Sequence, residues 1–209
     1  MKWFQRFAVS LNNHIGKEKG KTVAKGWEDL PTGAGKHAKE QRTKWIKSAL
    51  ENLDDLVDEE TRNRILIDTC PHSYPKTRIK LMKAEFEQLG NLDELLELMR
   101  EDTSWGGGSF YDYPTRKGNV IYVTKVPYNP KAYKNAISED EKRLAYCHCS
   151  LVKNSIDEIS PTFCCCSGGW VKQLWEGIFD MPVEVTLSES LLNGNDRCTH
   201  AVGIPAKFL

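Results

Sequence analysis

The stretch VEVTLSESLLNGNDRCTHAVGI, residues 183–204, decides the fold class. Apolar and polar residues alternate over Val183–Leu187, which predicts a strand with one buried face. The run Asn193-Gly194-Asn195-Asp196 predicts a turn, and residues 197–204 then return as an antiparallel strand. Upstream, NVIYVTKV at residues 119–126 is rich in β-branched and aromatic residues and predicts another strand. The carboxyl-terminal half therefore predicts an antiparallel sheet.

The amino-terminal half predicts helices, because its apolar residues recur at intervals of three and four. Four segments share this repeat: residues 3–11, 45–57, 79–89 and 92–99. The first is amphipathic, and we expect it to dock on its own domain or on a second subunit of a homodimer. The fold class is thus α+β, with a helical region over residues 1–103 and a cysteine-rich, antiparallel-sheet ligand-binding domain with helices over residues 104–209.

Composition excludes several function classes. Lys and Arg together number 29, and Asp and Glu together also number 29, so the chain has no net positive charge that would attract nucleic acid. No segment reaches the roughly twenty apolar residues of a transmembrane helix. No secretory signal is recognisable, and the seven cysteines are odd in number. We therefore expect reduced thiols and a cytoplasmic protein without a transmembrane segment.

Five of the seven cysteines lie in two short runs, YCHC at residues 146–149 and TFCCCSGGW at residues 162–170. Thiolates and neutral imidazoles are the donors that zinc prefers, so the clustering favours a metal site. The predicted ligands are Cys147, Cys149, Cys166 and Cys198, with His148 or His200 as substitutes. Zinc ranks above an iron–sulfur cluster, because none of the usual cluster spacings is present.

The same runs also favour a reactive thiol. Ser167-Gly168-Gly169 precedes an apolar helical repeat beginning at Trp170, which predicts a helix start just after the three consecutive cysteines. The positive end of a helix dipole lowers a thiol pKa, so Cys164, Cys165 or Cys166 is a candidate nucleophile, with His148 as the base.

Two further interpretations of this helix start remain open. It could bind a ligand carboxylate through Ser167, Gly168, Gly169 and Trp170. Cysteine is also among the most buried residue types, so some of the seven thiols are expected to serve only packing.

The segment from the Glu176-Gly177 helix through Met181-Pro182-Val183-Glu184-Val185 to the turn before Cys198 carries a resemblance. It resembles the carboxyl-terminal half of 4-vinyl reductase domains and is similar to the L-2-amino-thiazoline-4-carboxylate hydrolase family, most of all to bacterial members. The resemblance covers residues 105–209. It implies an α/β ligand-binding fold with a small-molecule pocket. This chain departs from both families, because its cysteines are more closely spaced than the sequence pattern of either family requires.

Two functions are therefore expected from the sequence. The preferred one is a small-molecule or metal-binding protein with a cysteine-rich pocket. The alternative, which the resemblance implies, is a thiol-dependent hydrolase of cyclic C=N or amide substrates, resembling L-2-amino-thiazoline-4-carboxylate hydrolase.

Overall fold

The chain forms two compact units, each built from two stretches of sequence. A computed structural model describes residues 1–101, 110–153, 155 and 158–209. The first unit contains Met1–Pro71 and Cys149–Gly169, and the second contains His72–His148 and Trp170–Leu209. The predicted boundary between residues 103 and 104 lies outside the described residues.

The first unit is helical. Its elements are α1 (Lys2–Ile15), α2 (Lys17–Val23), a 3₁₀ turn (Trp27–Asp29), α3 (Lys36–Leu56), α4 (Glu59–Asp68) and a 3₁₀ helix (Pro161–Ser167). Helix α4 begins at Glu59 because the Asp58 carboxylate caps it by accepting from the Thr61 N–H at 2.7 Å. The core of the unit combines aliphatic side chains with an aromatic cluster, in which the ring centroids of Trp3 and Phe163 are 5.1 Å apart.

Helix α1 buries its apolar face within the first unit. Trp3, Phe4, Phe7 and Leu11 are all buried, and Phe4 lies edge-on to Trp45 of α3 with centroids 5.4 Å apart. The expectation that this helix docks on its own domain is confirmed. A homodimer stays a prediction.

The second unit contains the sheet and the remaining helices. The helices are α5 (Lys76–Leu89), α6 (Leu92–Glu101), α7 (Pro130–Asn135), α8 (Glu139–Tyr146) and α9 (Gly168–Phe179), the last of which belongs to this unit from Trp170 onward. Helix α5 ends at Gly90, whose φ of 64° is left-handed and suits glycine. Asn91 then caps α6, since its Oδ1 accepts from the backbone N–H of Asp93 at 2.8 Å and of Glu94 at 3.2 Å.

Four antiparallel strands form one sheet. They are β1 (Thr115–Lys117), β2 (Val120–Thr124), β3 (Val185–Glu189) and β4 (Thr199–Gly203), arranged in the order β1-β2-β4-β3. Strand β4 pairs with β3 as the turn at residues 193–196 predicts, and it also pairs with β2. The predicted α+β class is confirmed. The described elements up to residue 101 are helices, and the sheet and further helices follow them in the sequence.

One face of the sheet is buried. Ile121 of β2 lies opposite Val202 of β4, and both are fully buried. Val123 lies opposite His200, so one of the buried residues on this face of the sheet is a histidine.

No helix in the described part of the chain is long and apolar enough to cross a membrane.

Candidate functional site

Two of the predicted metal ligands lie in one part of the second unit. Cys198 is buried in a cluster with Tyr146 and Leu191, and Cys147 and Tyr133 pack against that cluster. We call these five residues the Cys198 cluster. Cys147 is half-buried, at the end of α8, and Cys198 immediately precedes β4. The fold therefore brings together two thiols that are far apart in the sequence.

The Tyr146 phenol fixes the backbone of this cluster. Its oxygen accepts a hydrogen bond from the Cys198 N–H at 3.2 Å and donates one to the Lys125 carbonyl. The Lys125 N–H in turn donates to the Cys198 carbonyl at 2.8 Å. Burial raises the pKa of Tyr146 to about 12, so the phenol stays protonated and continues to donate at neutral pH. These bonds set the backbone that carries the Cys198 thiol.

The His148 ring is held in a defined orientation. Its Nε2 lies 2.6 Å from the Val126 carbonyl oxygen, and because a carbonyl only accepts, Nε2 carries the proton. The lone pair of the neutral ring is therefore on Nδ1. The ring lies between Phe110 and Tyr128, with centroids 5.7 Å and 5.4 Å away. A histidine that binds a metal commonly donates its other N–H to a backbone carbonyl in this way.

His200 is fully buried in the sheet, opposite Val123 and Leu187. Burial, with a smaller contribution from the Lys125 charge, lowers the pKa of His200 to about 3, against the raising effect of a hydrogen bond with the Thr186 backbone. The imidazole is therefore neutral at physiological pH. Its place in the core row makes packing its main role.

The three consecutive cysteines lie in the first unit, within the 3₁₀ helix Pro161–Ser167. The sequence predicts that they precede a helix start, but here they occupy a helical segment of their own, and α9 follows at Gly168 without a break. The Gly168 N–H donates to the carbonyls of Cys165 and Cys166, and Ser167 Oγ donates to the Cys164 carbonyl at 2.9 Å. The first backbone N–H of α9 is thus hydrogen-bonded to carbonyl groups of the cysteines themselves. This removes part of the dipole argument for a thiolate.

Cys165 is the buried member of the run. Its Sγ–H donates to Asn63 Oδ1 at 3.2 Å. Burial raises the pKa of the Cys165 thiol to about 12, although the nearby Arg62 charge acts in the opposite direction. Cys165 is therefore a protonated thiol at neutral pH. Cys164 and Cys166 are half-buried.

The predicted ligand-binding residues Gly169 and Trp170 have packing roles. A β-carbon on Gly169 would collide with the Ile67 carbonyl oxygen and with Cys70 Cβ, so glycine is needed where the backbone at residue 169 approaches the end of α4 within the first unit. In the second unit, Trp170 stacks on Tyr111 with centroids 5.1 Å apart. Gly168 itself is buried.

Two cavities among the described residues are lined by residues other than cysteine. Trp170 lines an apolar cavity of about 10 Å³, room for about one water molecule, together with Trp175 and Val123. A larger groove of about 1010 Å³ in the first unit lies between α3 and the residues Ser150, Leu151, Ser155 and Glu158. Its described lining holds lysines, glutamates and serines and includes no predicted site residue.

The predicted four-cysteine metal set is contained in neither unit. Cys147 and Cys198 belong to the second unit, whereas Cys149 and Cys166 belong to the first. His148 and the three consecutive cysteines are divided in the same way. Among residues 1–101, 110–153, 155 and 158–209, no group of three or more His, Cys, Asp or Glu side chains lies ready to hold a metal ion. None of the seven cysteines, all of which are described, is in a disulfide.

The chain was compared with protein-family models, curated proteins and solved structures. None of them matches.

Sequence reasoning missed the residues that organise both thiol sites. Tyr146 directly precedes Cys147, but nothing in the sequence indicates that its hydroxyl reaches Cys198. Asn63 lies on α4, a hundred residues from the thiol it accepts from. Such long-range partners leave no periodic signal in a single sequence.

Proposed function

We propose that the chain binds a thiophilic metal ion, zinc first, through two thiols of the Cys198 cluster and the imidazole of His148, which follows Cys147 in the sequence. The donors are the thiolates of Cys147 and Cys198 and the Nδ1 of His148. Three protein ligands leave one position of a tetrahedral ion for water or a small-molecule ligand. The proposal thus combines metal binding with the small-molecule binding expected from the sequence.

The observation that carries the proposal is that Cys147 packs against the cluster that holds Cys198. Thiolate is the softest donor in proteins and favours zinc over magnesium or calcium. The bond from His148 Nε2 to the Val126 carbonyl also supports the proposal, because it leaves the ligating lone pair on Nδ1. The proposal requires these three side chains to turn toward the ion as it binds.

Elemental analysis of the purified chain tests the proposal. We expect about one zinc ion per chain, lost in both Cys147→Ser and Cys198→Ser, since each removes one of the few protein ligands. Cys164→Ser is the matched control, because Cys164 is also half-buried but belongs to the first unit. Its metal content should equal that of the wild type.

A different outcome would favour the alternative function. If the protein is metal-free even after zinc is supplied, and one thiol reacts far faster than the rest, the metal proposal fails. The thiol-dependent hydrolase that the resemblance implies would then be the better account.

A further inference from the structure

A polar network anchors the triple-cysteine segment of the first unit to α3. The Ser160 hydroxyl donates to Asp54 Oδ2 at 2.7 Å, and the Thr162 hydroxyl lies 3.4 Å from Asp54 Oδ1. Ser160 and Thr162 are also within hydrogen-bond distance of each other, at 2.9 Å. One carboxylate therefore holds both hydroxyls at the start of the 3₁₀ helix.

The network continues onto α4. Arg62 Nη1 lies 3.3 Å from Asp54 Oδ1, and both side chains are largely shielded from solvent, with 18% and 29% of their surfaces exposed. The next residue, Asn63, accepts a hydrogen bond from the Cys165 thiol. Arg62 and Asn63 thus connect the Asp54 carboxylate to the buried thiol. The buried Phe163 ring anchors the same segment against Trp3.

Helical geometry then separates the three thiols. A 3₁₀ helix has three residues per turn, so consecutive side chains point about 120° apart. With Cys165 turned inward onto Asn63, Cys164 and Cys166 diverge on either side of it. Both are half-buried, whereas Cys165 is 4% exposed. The segment therefore keeps the Cys165 thiol in the core, while Cys164 and Cys166 are only half-buried.

We propose that Cys164 and Cys166 form a thiol modification site for small soft electrophiles, and that Asp54 positions this site by keeping Cys165 turned inward. The inference goes beyond the metal proposal, because it concerns the other unit and none of the residues of the Cys198 cluster. It divides the run between two reactive thiols and one anchoring thiol.

The slow reaction expected of Cys165 follows from its protonation as well as from its burial. The thiolate is the nucleophile, and burial raises the Cys165 pKa from 9.0 to about 12. At neutral pH, a shift of this size reduces the thiolate fraction about 1000-fold.

Residue-resolved alkylation with iodoacetamide tests the inference. In this reaction a cysteine thiolate forms a bond to the methylene carbon, iodide leaves, and the thiol proton passes to solvent. In the full-length wild type, Cys164 and Cys166 should be alkylated at least about tenfold faster than Cys165. Cys70, which is buried beside Gly169 and away from the Asp54 network at the start of the segment, serves as an internal reference for opening of the whole unit.

The Asp54→Ala variant separates positioning from general stability. We expect Cys165 alkylation to accelerate about tenfold while Cys70 stays as slow as in the wild type, because only the anchored segment is released. Asp55→Ala, at the exposed neighbour on α3, is the matched control and should leave every rate unchanged. Asp54→Asn keeps one acceptor for the hydroxyls, so it should restore part of the slow Cys165 rate.

Two results would overturn the inference. One is a wild-type chain in which Cys165 reacts as fast as Cys164 and Cys166. The other is an Asp54→Ala chain in which Cys165 and Cys70 accelerate in parallel, or in which neither changes, since a local anchor predicts neither pattern. If Asp54→Ala does not fold, Asp54→Asn is judged by the same comparison.

Discussion

Buried His200 makes the second unit sensitive to acid. The folded state lowers the His200 pKa from 6.5 to about 3, chiefly through burial. Between these two pH values, the unfolded chain binds a proton that the folded chain does not. The stabilisation from neutral His200 is therefore fully present above about pH 6.5 and is lost as the pH falls toward 3.

The magnitude follows from the size of the shift. Each unit of pKa corresponds to about 1.4 kcal/mol, so the full His200 contribution is on the order of 5 kcal/mol. As the pH falls through this window, the titration of His200 should lower the free energy of unfolding by about 1.4 kcal/mol for each pH unit. From about pH 6.5 to pH 5, this amounts to about 2 kcal/mol.

Urea denaturation followed by tryptophan fluorescence measures this dependence. A His200→Gln variant removes the titrating group and should show a shallower loss of stability across the acid window, whatever its stability at neutral pH. His72→Gln is the control, because His72 is an exposed histidine of the same unit. If wild type and His200→Gln lose stability in parallel between about pH 6.5 and pH 4, the buried neutral histidine does not account for the acid sensitivity.

Two substitutions test the packing around the thiol sites. Gly169→Ala should lower the free energy of unfolding by about 1–3 kcal/mol in a urea titration, because its β-carbon collides with the Ile67 carbonyl. Gly33→Ala, where a β-carbon meets nothing closer than 3.9 Å, should cost much less, and equal losses would contradict the packing account. Tyr146→Phe should cost about 1–3 kcal/mol, because it leaves the Cys198 N–H without its phenol acceptor. An unchanged unfolding midpoint would show that this bond contributes little.

Regular elements with a strong period could be predicted from the sequence. Strand β2 at Val120–Thr124 lies within the predicted residues 119–126. The strand expected from Val183 begins two residues later, at Val185, after Pro182. The 3₁₀ helix Pro161–Ser167 was not predicted, because its period is too short and its length too small to leave an apolar repeat.

The candidate sites could be predicted only as sets of donors. Cys147 and Cys149 stand two residues apart, yet they belong to different units, which sequence spacing cannot indicate. Of the four predicted ligands, Cys147 packs against the cluster that holds Cys198, whereas Cys149 and Cys166 belong to the other unit. The Asp54 network depends on contacts between residues about a hundred positions apart, so no local pattern predicts it.

The most direct test of the central claim is a cobalt titration of the metal-free chain under reducing conditions. Cobalt substitutes for zinc, and binding through thiolates gives a sulfur-to-cobalt charge-transfer absorption. We predict saturation at one ion per chain, reversal by added zinc, and loss of the band in Cys147→Ser and Cys198→Ser but not in Cys164→Ser. A titration without a charge-transfer band, or a band that survives in both Cys147→Ser and Cys198→Ser, would contradict a metal site at the Cys198 cluster.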